Sequence, residues 1–275
     1  MPKTEHMVLC LSDLQPGMRT PTFDVGIFRA RWELLVDTVI RLREIHASDR
    51  EVPMLHIVSL GDLVEGEPYT RRINIAEVDV DDGEIMDILA QKQLCQECIT
   101  GGLIRLRAYF DQIRLVSVPG NHGAGRGKDA SKRSNDDTEV CLNVRDRLKG
   151  LEGVSFDIET NSFYRVFEVL GTRFMAVHGH QVRMWSRVPQ YGIINKVVLW
   201  HRTIPEPFDA VLMGHFHNLN LIDAYGTPVY MNGCFGGGSD YELERGLAPS
   251  LAQWVLGVHP DKGIVWERRI RLGGV

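Results

Sequence analysis

One ending recurs along this chain: an apolar run stops at a turn, and a metal-competent side chain follows at once. Leu115-Val116-Ser117-Val118 stops at Pro119-Gly120 and is followed by Asn121 and His122, with further glycines at 123, 125 and 127. Val8–Leu11 stops at Ser12-Asp13-Leu14-Gln15, and Met54–Leu60 stops at Gly61-Asp62. Ala176-Val177 runs into His178-Gly179-His180, and Ala210–Met213 into Gly214-His215-Phe216-His217. Short apolar runs bounded by turn residues read as buried strands. Ligands collect beyond the carboxyl ends of such strands in α/β proteins. Glycine there lets backbone approach a ligand without a Cβ clash.

Between these runs the apolar period lengthens. Phe28 to Ala47 places Trp32, Leu35, Val36, Val39 and Ile40 on one helical face. Glu84 to Phe110 predicts a long helix that Gly101-Gly102 would kink or break, and a further helix runs through Val140, Val144 and Leu148. Pro68 to Gly83 is irregular and acidic. The β-α-β-α-β order predicts a parallel or mixed central sheet. Later runs at Ser162–Val169, Thr172–Val177, Ala210–Met213, Leu219–Ala224, Pro228–Met231, Ala252–Val258 and Gly263–Ile270 read as strands and hairpins, with one helix near Tyr191–Trp200. A two-sheet α/β sandwich forming one domain over residues 1–275 fits this pattern. A βαβ half followed by a separate β domain is the alternative.

Composition narrows the class. Hydrophobic residues make up 44% of the 275, enough for a sizeable core. The net charge of −5 removes any bulk-charge argument for nucleic-acid binding, so a polyanion would have to be drawn by local charge, bound metal included. No apolar run approaches the roughly 18–20 residues needed to span a bilayer, and the first residues carry no secretory pattern. Five cysteines at irregular spacing predict reduced thiols in a cytoplasmic protein. Cys95-x-x-Cys98 lies in a helical pattern without a second pair and reads as packing, and Cys141 and Cys234 read as small apolar fillers.

Each strand-end residue alone is ordinary. A single Asp there is a common turn former, and Asn-His after Pro-Gly reads equally well as a turn. Gly-His-x-His says more, because i and i+2 lie on one side of an extended chain. Together these acids, the amides and the imidazoles at successive strand ends form a cluster whose mutual repulsion a divalent cation relieves. Mixed oxygen and nitrogen donors suit Mn²⁺, Fe²⁺ or Zn²⁺ better than Ca²⁺ or Mg²⁺.

The ordered set Ser12-Asp13-Leu14-Gln15, Gly61-Asp62-Leu63-Val64-Glu65, Gly120-Asn121-His122, His178-Gly179 and Gly214-His215-Phe216-His217 resembles the calcineurin-like metallophosphoesterase superfamily. The resemblance implies a four-layer α/β/β/α sandwich, with two mixed β-sheets flanked by helices and two divalent metal ions at the strand ends. Mn²⁺ is expected first, with Fe²⁺, Zn²⁺ or Mg²⁺ as alternatives. By resemblance, Asp62 bridges the metals; Asp13, Gln15 and His217 complete the first, and Asn121, His178 and His215 the second. A bridging hydroxide then attacks phosphorus, and His122 assists the leaving group or carries charge on the phosphoryl group. Gln15 stands where the family usually has His, which predicts a first metal that binds less tightly, exchanges faster or takes an extra water.

The substrate expected from the resemblance is a phosphodiester, with DNA the first candidate. The Arg of the phosphoprotein-phosphatase run is missing after Gly61-Asp62, whereas the shorter run is similar to DNA-repair nucleases of the SbcD type and stand-alone phosphoesterases of tailed phages. His180, Arg126 and Arg133 are candidate substrate contacts, with Arg71, Arg72, Lys128 and Lys132 nearby in sequence. Tyr69, Trp185 and Tyr191 are candidates for base stacking, although packing explains each better. Two other readings remain: a phosphomonoesterase for nucleotides or phosphoproteins, and a metal-stabilised binding module with a decayed site. No membrane partner is expected, and the spacing is neutral on a homodimer.

Overall fold

The computed structural model describes residues 4–66, 86–125, 133–184, 188–237 and 248–274. Strands β1 (Thr4–Leu11), β2 (Glu51–Ser59), β3 (Gln112–Ser117) and β4 (Val154–Ile158) pair in parallel, in that order. A second sheet contains β5 (Tyr164–Val169), β6 (Thr172–Val177), β7 (Ala210–Met213), β8 (Asn220–Ala224) and β9 (Thr227–Met231), in the order β5-β6-β7-β9-β8. Its centre, β6-β7-β9, is parallel, and both edge strands are antiparallel. The last strands, β10 (Ala252–His259) and β11 (Gly263–Arg271), return to the first sheet on the free side of β1.

Side-chain alternation explains the layers. Along β1, Met7, Leu9 and Leu11 face a cluster with Trp32 and Leu35 of α1 (Val25–His46) and Leu103 of α2 (Ile88–Arg107). The intervening Val8 and Cys10 join Phe174, Leu212 and Leu256 between the sheets. A strand covered on both faces therefore reads as an unbroken apolar run. Helix α3 (Asp136–Arg147) covers the first sheet too, through Val140 and Val144. Helix α4 (Pro189–Thr203) covers the outer face of the second sheet, with Ile193, Val197 and Trp200 against Met175, Val211 and Val229. The fold class is the expected α/β one, two mixed sheets with helices outside.

Three local expectations change. Strand β4 was not anticipated: it is a partly exposed edge strand whose Ser155 and Asp157 break the apolar pattern. Helix α2 starts at Ile88, where Asp87 accepts the Ala90 N–H at 2.8 Å, rather than near Glu84. It also runs unbroken through Gly101-Gly102. A Cβ on Gly102 would lie 2.8 Å from Trp32, so this glycine is where the α1 indole seats. The acidic run 68–83 lies outside the described residues. The five cysteines form no disulfide and are buried. Among the described residues, no helix is long and apolar enough to cross a membrane.

Candidate metal centre

The loops after β1, β2, β3, β6 and β7 meet at one end of the sandwich. Backbone hydrogen bonds continue the strand pairing into them: Asp13 N–H donates to Gly61 O at 3.1 Å, Leu14 N–H to Asp62 O at 3.0 Å, and Gly214 N–H to His178 O at 2.9 Å. Among the described residues, seven other than glycine have positive φ, and five of them are Asp13, Gln15, Asp62, His215 and His217. Such backbone costs roughly 1–3 kcal/mol each and persists where surrounding contacts hold it. The strain is concentrated on candidate donor positions.

The tightest group is Asp62, His178 and His215, whose donor atoms lie within 4.8 Å of one another. Asp62 and His178 are buried. His178 donates Nδ1–H to Leu60 O at 2.7 Å, which leaves Nε2 facing Asp62 Oδ2 at 3.1 Å and Asn121 Oδ1 at 3.0 Å. A bare ring nitrogen against two oxygens is repulsive, so the position calls for a proton or a cation. Burial pushes His178 down, but Asp62 and Asp13 outweigh it and lift the imidazole to about 9. Burial pushes Asp62 up, and His178 and His122 pull it below the usual carboxylate range. Burial and the charge on His178 depress His215 to about 4, so it offers a neutral nitrogen.

Beside this group stand Asp13 and His217, with Asp13 Oδ1 to His217 Nε2 at 3.3 Å. Asp13 Oδ2 accepts the His215 backbone N–H at 3.1 Å. Beyond its ion pair with His217, Asp13 Oδ1 has no hydrogen bond, and Gln15 Oε1 is buried without a partner, among the described residues. Such buried acceptors next to imidazoles fit a cation. Gln15 does more than offer an oxygen: its Nε2 lies 2.6 Å from His122 Nδ1. Cys234, expected as apolar filler, interacts with the His217 side chain and donates its thiol to Gly236 O at 2.8 Å. Burial lowers the basicity of His217, but Cys234 and Asp13 reverse this and raise it well above its ordinary value.

His122 stands at the mouth. Its backbone N–H donates to Asp62 Oδ1 at 2.8 Å, its Nε2 lies 3.5 Å from Asp62 Oδ2, and its Nδ1 lies 3.4 Å from Glu65 Oε2. His180 is exposed at the rim, its ring 5.5 Å from that of His178 and 6.2 Å from that of His215. Burial and the charge on His178 lower it to about 4. Arg133 is exposed on the approach to α3. Tyr191 is exposed on α4. Arg126, Lys128, Lys132, Arg71, Arg72, Tyr69 and Trp185 lie outside the described residues.

The supports behind this centre escaped the sequence reading. Buried Asp137, in the first turn of α3, accepts backbone N–H groups from Asp62 at 2.9 Å, Leu63 at 2.8 Å and Gly120 at 2.8 Å. Burial and the Asp62 charge raise its carboxyl to about 6. Asn135 caps α3 and donates Nδ2–H to Gly120 O at 3.0 Å. Gln91 of α2 accepts the Glu65 and Gly66 N–H groups at 2.9 and 3.1 Å. Gln253 Oε1 accepts the Ser12 N–H at 3.0 Å, and Asn232 donates to Ser12 Oγ at 3.0 Å. The available signal was a polar residue in an apolar setting, such as Gln253 within Ala252–Val258, and the Asn135-Asp136-Asp137 cap run.

No protein-family model matches the chain. Comparison with curated protein sequences found no match. Solved structures do overlay. Vps29 complexed with zinc, from Entamoeba histolytica, is 12% identical with a TM-score of 0.45, covering 97% of this chain and 99% of its own. A novel archaeal phosphodiesterase is 13% identical with a TM-score of 0.42, covering 96% and 98%. A conserved protein of Streptococcus pneumoniae, described as a predicted phosphoesterase, is 11% identical with a TM-score of 0.38, covering 97% of each chain. At these scores the likeness carries no functional conclusion.

Proposed function

We propose that the protein is a calcineurin-like metallophosphoesterase that hydrolyses phosphodiester bonds with two divalent metal ions, and that its substrate is nucleic acid. The observation that carries the reading is His178 Nε2, held between Asp62 Oδ2 and Asn121 Oδ1 while its Nδ1–H is committed to Leu60. That arrangement suits a cation bound by imidazole and oxygen donors. In this reading Asp62 would serve both metals, Asp13, Gln15 and His217 would hold the first, and Asn121, His178 and His215 the second. Mn²⁺ is the proposed metal, because the donors mix carboxylate, amide and imidazole. When bound, such ions supply Lewis-acid charge for the phosphoryl oxygens and lower the pKa of water.

The chain's own groups do the positioning. Asp62 orients the His122 backbone through Oδ1, and Gln15 holds the ring at Nδ1. Its Nε2, 3.5 Å from Asp62 Oδ2, is the proposed contact for the phosphoryl group and the departing oxygen. Buried His178 and half-buried His217 keep their rings fixed as substrate exchanges. The nucleic-acid assignment rests on the resemblance and on the basic run from Arg126 to Arg133, with Arg126, Arg133 and His180 proposed as backbone contacts.

The test is a substrate screen on chelator-treated protein reloaded with Mn²⁺, Zn²⁺ or Mg²⁺. Metal-dependent cleavage of single- or double-stranded DNA is expected, falling steeply with salt. Cleavage of bis-p-nitrophenyl phosphate without DNA cleavage removes the nucleic-acid assignment. Preference for monoesters selects a phosphomonoesterase, and no turnover with any metal selects a binding module.

A further inference from the structure

We propose that Gln15 is a two-ended positioning residue: its amide N–H holds His122 Nδ1 as an acceptor, so that Nε2–H is the donor presented to substrate, and its Oε1 remains for the first metal. Both ends rest on the two-metal reading above, the first because the cation decides which way the Gln15 amide faces.

Gln15 is fully buried, held at φ 43°, and its Nε2 lies 2.6 Å from His122 Nδ1. Its Oε1 is buried and has no hydrogen-bond partner among the described residues. The amide can be read in two directions. In the reverse direction, Oε1 would accept from His122 Nδ1, and the NH₂ group would point into the donor cluster. Two N–H groups aimed at a cation are unfavourable, whereas an amide oxygen there is a ligand. The direction with N–H on His122 satisfies both ends. Neutral imidazole has one donor and one acceptor, so an accepting Nδ1 leaves Nε2–H as the donor.

The chemical consequence is specific. Losing Nε2–H from this form would create an imidazolate, so His122 acts by hydrogen bonding to developing charge and keeps its proton. A glutamine in the first metal's donor set thereby selects between the two roles open to His122. Glu65 Oε2, 3.4 Å from Nδ1, is the competing acceptor that would draw a proton to Nδ1 if Gln15 were removed.

The experiment is NMR of the full chain with ¹⁵N-labelled histidine and glutamine, metal-free and zinc-loaded, for wild type, Gln15→Glu and Gln15→Leu. Wild type is expected to show pyridine-type Nδ1 and pyrrole-type Nε2 at His122, with a scalar coupling between His122 Nδ1 and Gln15 Nε2 across the hydrogen bond. Gln15→Glu, which replaces the donor by a carboxylate oxygen, is expected to protonate Nδ1. Zinc titration of Gln15→Leu should weaken one of two sites by about tenfold or more. Pyrrole-type Nδ1 in wild type, or pyridine-type Nδ1 retained in Gln15→Glu, overturns the first end. Unchanged zinc affinity in Gln15→Leu overturns the second. Circular dichroism identifies a variant that fails to fold, and the wild-type spectrum still decides the first end. If wild type cleaves no phosphodiester, the function reading fails while the tautomer measurement still stands.

Discussion

Asp137 Oδ2 accepts the Gly120 backbone N–H at 2.8 Å, and the same oxygen accepts that of Asp62 at 2.9 Å. One carboxylate therefore sets the spacing between the loops that carry the Asp62 and Asn121 side chains. Asp137→Ala would leave three buried N–H groups without their acceptor, each costing about 1–3 kcal/mol. The expected result is destabilisation of roughly 3 kcal/mol or more in urea unfolding, together with weaker metal binding by calorimetry. Asp137→Asn retains one acceptor oxygen and should fall between. Full metal affinity in Asp137→Ala would show that the loops keep their spacing without it.

Gly101 and Gly102 should respond with opposite signs. A Cβ on Gly101 meets nothing within 4 Å, and the position is exposed in α2, so Gly101→Ala should stabilise by about 0.5–1 kcal/mol. A Cβ on Gly102 meets Trp32 at 2.8 Å, so Gly102→Ala should destabilise by about 1–3 kcal/mol through forced repacking. Thermal unfolding of the two single variants measures both. Equal shifts would mean that the Trp32 contact is unimportant.

The roles proposed for the neighbours Asn121 and His122 are separable by experiment. His122→Ala should leave metal affinity nearly unchanged and lower turnover about 10²–10³-fold, the usual effect of removing a donor to developing charge. Asn121→Ala should weaken metal binding about tenfold or more, because its Oδ1 shares His178 Nε2 with Asp62. Isothermal titration with Mn²⁺ alongside diester hydrolysis separates them. A reversed pattern would exchange the two assignments.

His56 should give the fold an acid-side weakness. It is 2% exposed, its Nε2 lies 3.2 Å from His6 Nδ1, and burial, with His6 and Arg114 adding to it, lowers it from 6.5 to about 3. The unfolded chain binds this proton below about pH 6.5 and the folded chain does not until about 3. Its contribution to stability is therefore complete above 6.5 and is lost as pH falls toward 3, at ~1.4 kcal/mol per pH unit. His56→Gln should flatten the fall in urea-unfolding free energy between pH 6.5 and 4.5. Parallel curves for variant and wild type would assign the acid loss to other groups.

Legibility in the sequence followed burial. β1, β2, β3, β6 and β7 read clearly because their carboxyl-terminal halves are covered on both sides and leave unbroken apolar runs. β4, on an edge, mixes Ser155 and Asp157 into its pattern and gave no such run. The Gly101-Gly102 pair suggested a break because glycine is a poor helix former, but the close seat for Trp32 explains Gly102 inside an intact helix. Asp137 was illegible because its work is done on backbone groups 17 and 75 residues away.

The sequence by itself determined the strand ends and the candidate site residues they carry: Asp13, Gln15, Asp62, Asn121, His122, His178, His215 and His217. Those features are local, since an apolar run and the turn that closes it are set by neighbouring residues. Only the tertiary structure decided who meets whom. It brought Gln15 onto His122 across 107 residues, set Cys234 against His217, and returned β10 and β11 to the side of β1. It also imposed left-handed backbone on Asp13, Gln15, Asp62, His215 and His217. Long-range hydrogen bonds and packing hold such conformations against the local preference of the chain, so nothing in the local pattern announces them.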